Sequence, residues 1–103
     1  MPEEIIPPTF YGLCSAEDVA RAIERLVPQA TEPFLRQAQT TPERFGTVQR
    51  AFIECARDNA IPIDMQRAMI AAQPCDRVFT IDTDHSPFYS APDELARDLL
   101  ELA

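Results

Sequence analysis

Apolar positions along the chain fall into helix-period runs and two short continuous stretches. The first helical run follows Ser15. Val19, Ile23, Leu26 and Val27 recur at helical spacing, with Glu17, Arg21, Glu24 and Arg25 on the other side. Ser15 suits the N-cap, with Asp18 at N3 completing a shortened capping box, and Pro28 stops the helix near Val27. Residues 1–12, with Pro2, Pro7 and Pro8, read as irregular. Residues 28–47, with Pro28, Pro33 and Pro42, read as extended. One short helical turn is predicted there at 41–45, where Thr41 caps, Pro42 sits at N1 and Gly46 ends it.

The second half is more regular. V-Q-R-A-F-I-E-C-A at 48–56 is strand-like, and the adjacent Phe52 and Ile53 predict a strand buried on both faces. After the polar loop Arg57-Asp58-Asn59, Pro62 opens an amphipathic helix through Met65, Met69 and Ile70 to about Ala72. Val78-Phe79-Thr80-Ile81 reads as a second strand, and Asp82 to Ser86 as a second polar loop. The last helix starts near Pro92, carries Asp93 and Glu94 in its first turn, and packs Leu95, Leu99, Leu100 and Leu102. The class is therefore α/β. The second half is one βαβ unit with a terminal helix, for which a parallel pair with a right-handed crossover is expected.

Both polar loops follow the C-terminal ends of predicted parallel strands, where ligands bind in open α/β sheets. One carries Asp58, the other His85, and about 27 residues separate them. That length accommodates one crossover helix and a return strand, so the two residues can meet at neighbouring strand ends. A carboxylate bonded to one ring nitrogen fixes the histidine tautomer and stabilises the imidazolium formed on proton transfer. Plainer readings exist. Asp58 could be a turn residue or a helix cap, and His85 an exposed loop histidine beside Asp84. Asp82 and Asp84 read as solvated. Glu54 and Asp64 are rival acids, but neither sits at a strand end. Ser15, Ser86 and Ser90 lack a strand-to-helix turn of the kind a nucleophile needs. Cys55 lies near the Asp58 loop, but a strand-end cysteine without a depressed pKa is a small core residue, and Cys14 and Cys75 read likewise.

Charge and composition narrow the function classes. The chain has 103 residues, the size of one small domain, and a formal net charge of −8. Such acidity argues against nucleic acid as a partner, and no polybasic segment or long apolar run invites a membrane. The single histidine argues against a His-based metal site, and no cofactor is expected. Cys14, Cys55 and Cys75 form no C-x-x-C pair, and Met1-Pro2-Glu3-Glu4 opens no signal peptide, so reduced thiols in a cytoplasmic protein are expected.

The segment F-G-T-V-Q-R-A-F-I-E-C-A-R-D-N-A-I-P, followed by D-H-S-P-F-Y-S-A-P, resembles the C-terminal part of an α/β-hydrolase. The likeness is to the plant-type methylesterase and hydroxynitrile lyase subgroup, and it covers roughly residues 10–103. The upstream F-Y-G-L-C-S-A-E-D-V-A resembles the end of that subgroup's helical cap. The resemblance implies a partial α/β-hydrolase fold, with residues 1–47 as the end of the cap and a Pro-rich connection, and 48–103 as the βαβα part of the core. It implies Asp58, in D-x-x-I-P, as the acid and His85, in D-H, as the base of a Ser–Asp–His triad.

Departures from the family pattern matter equally. Gly12 and Gly46 are the only glycines, so the chain contains neither the G-x-S-x-G nucleophile elbow nor the H-G-type oxyanion loop. Ser86 stands where the lyases carry a lysine after the histidine, which favours an esterase-like parent acting on small carboxylic esters. The expectation is a C-terminal segment that is inactive alone. Its alternative is a non-catalytic interaction module. Unpaired strand edges would drive either reading toward self-association or a complementing N-terminal half.

Overall fold

The computed structural model describes all 103 residues, Met1–Ala103. A 3₁₀ turn at Glu3–Ile5 leads into α1 (Ile6–Phe10), α2 (Ala16–Arg25) and α3 (Glu32–Leu35). A second 3₁₀ turn, Phe45–Thr47, precedes β1 (Ala51–Cys55), α4 (Ile63–Ala72), β2 (Arg77–Ile81), α5 (Pro87–Ser90) and α6 (Pro92–Leu102). The class is α/β. β1 and β2 form a two-stranded parallel sheet in the register Ala51↔Arg77 to Cys55↔Ile81.

The local chemistry explains most boundaries. Ser15 caps α2, its hydroxyl oxygen accepting from Asp18 N at 3.1 Å. α2 closes at Arg25, earlier than Val27, because Leu26 is already extended ahead of Pro28. Three short helices depart from the sequence expectation. α1, α3 and α5 each hold proline in the first turn, where its missing N–H has no intrahelical partner to lose. Proline-rich sequence therefore reads as irregular when it in fact starts helices. Around Gly46 the expected turn lies further along. The 3₁₀ turn begins at Phe45, with Gly46 inside it.

The hydrophobic core is thin. Only Ala22, Cys55 and Ile81 are buried apolar residues, and five buried residues are polar: Glu54, Gln66, Thr83, Asp84 and Ser86. β1 was expected to be buried on both faces, but Phe52 and Ile53 are only half-buried, because β1 has a single neighbour strand. The Cα radius of gyration is 15.5 Å, against about 13 Å for a compact domain of this size.

Ile81, the last residue of β2, is 1% exposed. Ile81→Ala should lower unfolding free energy by about 2–5 kcal/mol, measured by urea denaturation with circular dichroism. Leu100→Ala, at a residue 74% exposed, should change it by less than about 0.5 kcal/mol.

Candidate active site

The two loops leave the sheet side by side because the ladder continues past both strands. Ala56 N donates to Ile81 O and Arg57 N to Thr83 O, each at 2.9 Å. Arg57 also joins the loops through Asp82, its Nε lying 3.0 Å from Oδ1. In the first loop Asp58 Oδ1 accepts from Ala60 N at 2.8 Å and Ile61 N at 2.9 Å. Those two bonds make Asp58 a turn residue, and they leave Oδ2 free for His85 Nδ1 at 2.8 Å. The turn role and the pairing role thus coexist in one carboxylate. An ionised carboxylate only accepts, so the bond to it selects the tautomer in which Nδ1 donates, and in a neutral imidazole of that tautomer Nε2 is the acceptor.

Burial is divided unequally within the pair. The Asp58 side chain is 7% exposed and that of His85 34%. The imidazole and the Phe10 ring meet in a T-shaped arrangement, 5.3 Å between centroids. An apolar groove of about 370 Å³ opens beside the pair, lined by Phe52, Ile53, Met69 and Phe88 among others. A larger, mostly polar cavity of about 510 Å³ lies at Thr40–Arg50 and Gln73–Asp76, by the N-terminal ends of the strands and away from the pair.

Several residues important to this geometry carried no sequence signal. Gln66, wholly buried on α4, accepts from Cys55 N at 2.9 Å and donates to Cys55 O at 3.0 Å and Ile61 O at 2.7 Å. It closes the Asp58 loop at both ends. Asp82 is solvated as expected, but Asp84 is not. It is 1% exposed and accepts from four donors. Burial alone would raise its pKa, yet the donors from Leu13, Ser86, Ser90 and Cys14 together hold it below the ordinary value. Of the rival acids, Glu54 is occupied by Arg67 at 3.1 Å and Thr80 at 2.9 Å. The Arg67 bond lowers its pKa against the opposing effect of burial.

The alternative nucleophiles are engaged elsewhere. Ser15 caps α2, Ser86 Oγ donates to Phe10 O at 2.7 Å, and Ser90 Oγ donates to Asp84. Burial pushes the Cys55 thiol up to about 11, with Asp58 and Asp84 adding to it. Burial and the bond to Asp84 push Cys14 up to about 12. Both stay protonated and poorly nucleophilic at neutral pH.

No protein-family model matches the chain. Methylesterase 7 of Arabidopsis thaliana is 36% identical over 103 residues, covering 97% of this chain and 40% of that protein. Methyl jasmonate esterase 1 of Vitis vinifera is 36% identical over 97 residues, covering 90% of this chain and 37% of that protein. The crystal structure of the Arabidopsis methylesterase MES16 superposes with a TM-score of 0.91 at 28% identity, covering 99% of this chain and 44% of that one. The chain is part of a methylesterase-like α/β-hydrolase. It spans about two fifths of the length of these relatives. In this methylesterase-like chain the residue after His85, Ser86, is buried at 2% exposed.

The two buried carboxylates set an acid limit on the fold. Asp84 and Glu54 both sit below their ordinary values when folded. The stability they contribute is present above the unfolded-state value of about 4 and is lost as pH falls through the lower folded values. Thermal melts by circular dichroism between about pH 6 and about pH 2 should show the melting temperature falling through that window. The fall should be shallower in Asp84→Asn.

Proposed function

We propose that Asp58 and His85 are the acid and base of a carboxylic ester hydrolase, with the attacking serine and oxyanion hole supplied from outside these 103 residues. The observation that carries this reading is the 2.8 Å bond from His85 Nδ1 to Asp58 Oδ2, which leaves Nε2 free beside an apolar groove. In the completed site Nε2 takes the serine proton as the hydroxyl attacks the ester carbonyl, then returns it to the leaving alcohol. Asp58 holds the tautomer and stabilises the imidazolium without itself becoming protonated. The substrate class is a small carboxylic ester, and the steps require no cofactor. Residues 1–47 then serve as the end of the cap and its connection, and 48–103 as the C-terminal βαβα part of the core. The three unpaired cysteines suit a reducing, cytoplasmic setting.

Alone, the chain should hydrolyse p-nitrophenyl acetate no faster than buffer, because the nucleophile and oxyanion donors are missing. Combined with the complementary N-terminal part of Methylesterase 7, it should gain activity. Asp58→Asn should then lower kcat by about ten thousandfold, and His85→Ala should remove it. Activity that survives His85→Ala would overturn the assignment.

A second reading concerns association, and β1 favours it. Ala56 N bonds to β2, so in a parallel ladder Phe52 and Glu54 face β2 while Ala51, Ile53 and Cys55 turn their backbone groups outward. Gln66 takes up those of Cys55, and the rest form an open edge. The accessible surface is 7817 Å² for 11.6 kDa, whereas a folded monomer of that mass exposes roughly 5,800 Å². The excess, about 2,000 Å², is more than one partner contributes to a standard interface, about 800 Å². The chain acts in this reading as an interaction module that self-associates or pairs with a complementing half. Size-exclusion chromatography with light scattering should find it larger than 11.6 kDa. A sharp monomer peak with a radius of gyration near 13 Å would count against it.

A further inference from the structure

We infer that Asp84 is a positioning residue for His85, clamping the imidazole into its bond with Asp58 by tying the backbone on both sides of it to residues 10–14. The inference rests on the acid–base reading of Asp58 and His85 and gives a role to Asp84, the aspartate of the D-H pair. Asp84 precedes His85, and its Oδ1 accepts from Ser86 N, just after His85, at 2.9 Å and from Ser90 Oγ at 2.8 Å. Its Oδ2 accepts from Leu13 N at 2.8 Å and from Cys14 Sγ at 3.3 Å. One side chain therefore straps the His85 turn to itself and to the segment between α1 and α2.

That segment in turn braces the ring. Ser86 Oγ donates to Phe10 O at 2.7 Å, and the Phe10 ring packs against the imidazole. On the other loop Asn59, next to Asp58, donates to Pro8 O at 2.9 Å. The immediate neighbours of both Asp58 and His85 thus hold the same stretch of chain, Pro8 to Cys14.

The chemistry of the cluster explains why a carboxylate occupies the position. All four partners are donors, and no arginine pairs with Asp84. A carboxylate is acceptor-only and has two oxygens, enough for two donors each. An asparagine would turn an NH₂ group toward one pair of donors and leave buried N–H groups facing N–H. Removing the charge therefore breaks at least one strap while leaving the side-chain volume nearly unchanged.

The test uses the whole chain with ¹⁵N-labelled histidine. Its single histidine makes the imidazole signals unambiguous. In the wild type, NMR should show the Nδ1–H tautomer and a slowly exchanging Nδ1 proton. Asp58→Asn should lose both. Asp84→Asn should keep the wild-type circular dichroism spectrum but show mixed tautomers, with Nδ1 proton exchange faster by about tenfold or more. A folded Asp84→Asn with the wild-type tautomer and exchange rate would overturn the proposal. If Asp84→Asn does not fold, Cys14→Ala/Ser90→Ala decides, since it keeps the carboxylate and removes one donor from each oxygen. Faster exchange in that variant supports the clamp, and an unchanged rate refutes it. A wild-type chain lacking the bonded Nδ1 proton would overturn the Asp58–His85 pair and the clamp together. Complementation that yields no activity while these NMR signals hold would overturn the acid–base reading and leave the clamp standing.

Discussion

The parallel pairing of Ala51–Cys55 with Arg77–Ile81 sets the spacing between the two loops that follow, and the geometry of the candidate site derives from that spacing. Parallel strands run in the same direction, so both chains leave the sheet at one end. The ladder bonds from Ala56 to Ile81 and from Arg57 to Thr83 carry the pairing into the loops themselves. Asp58 and His85 are then one hydrogen bond apart although 27 positions separate them in sequence. An antiparallel pair of the same strands would place these loops at opposite ends.

Pairing alone does not aim the side chains. Buried polar groups around the loops do that, and they outnumber the buried apolar residues. Gln66 bridges the two ends of the Asp58 loop, while Asp84 bridges the His85 turn and the α1–α2 connection. No buried side-chain nitrogen or oxygen lacks a hydrogen-bond partner. Hydrophobic burial is non-directional. A satisfied polar network has few geometries, and in a low-dielectric setting each unmade bond is costly. This chain concentrates its directional bonds where orientation matters and leaves its apolar faces incompletely covered.

The matched relatives are more than twice as long. β1 has a single neighbour strand, and its Phe52, Ile53 and Cys55 line the apolar groove together with His85, the proposed base.

Much of this was legible in the sequence. The helix at Ser15, the two strands, the crossover helix and the terminal helix follow from periodicity and caps, which are local properties. Asp58 and His85 stood out because polar loops after apolar runs are local as well. The proline-started helices were not legible, since one residue type both opens and breaks helices. Neither were Asp84 and Gln66. Asp84 looks like one of two solvated aspartates, and Gln66 like an ordinary helix residue. Their partners lie up to 71 positions away. The sequence by itself determined the order of the two strands and the longer helices, and it singled out Asp58 and His85 as candidates. Only the tertiary structure decided which carboxylates are buried and which donors each one accepts from, because burial and hydrogen-bond partnership depend on segments that the fold brings together.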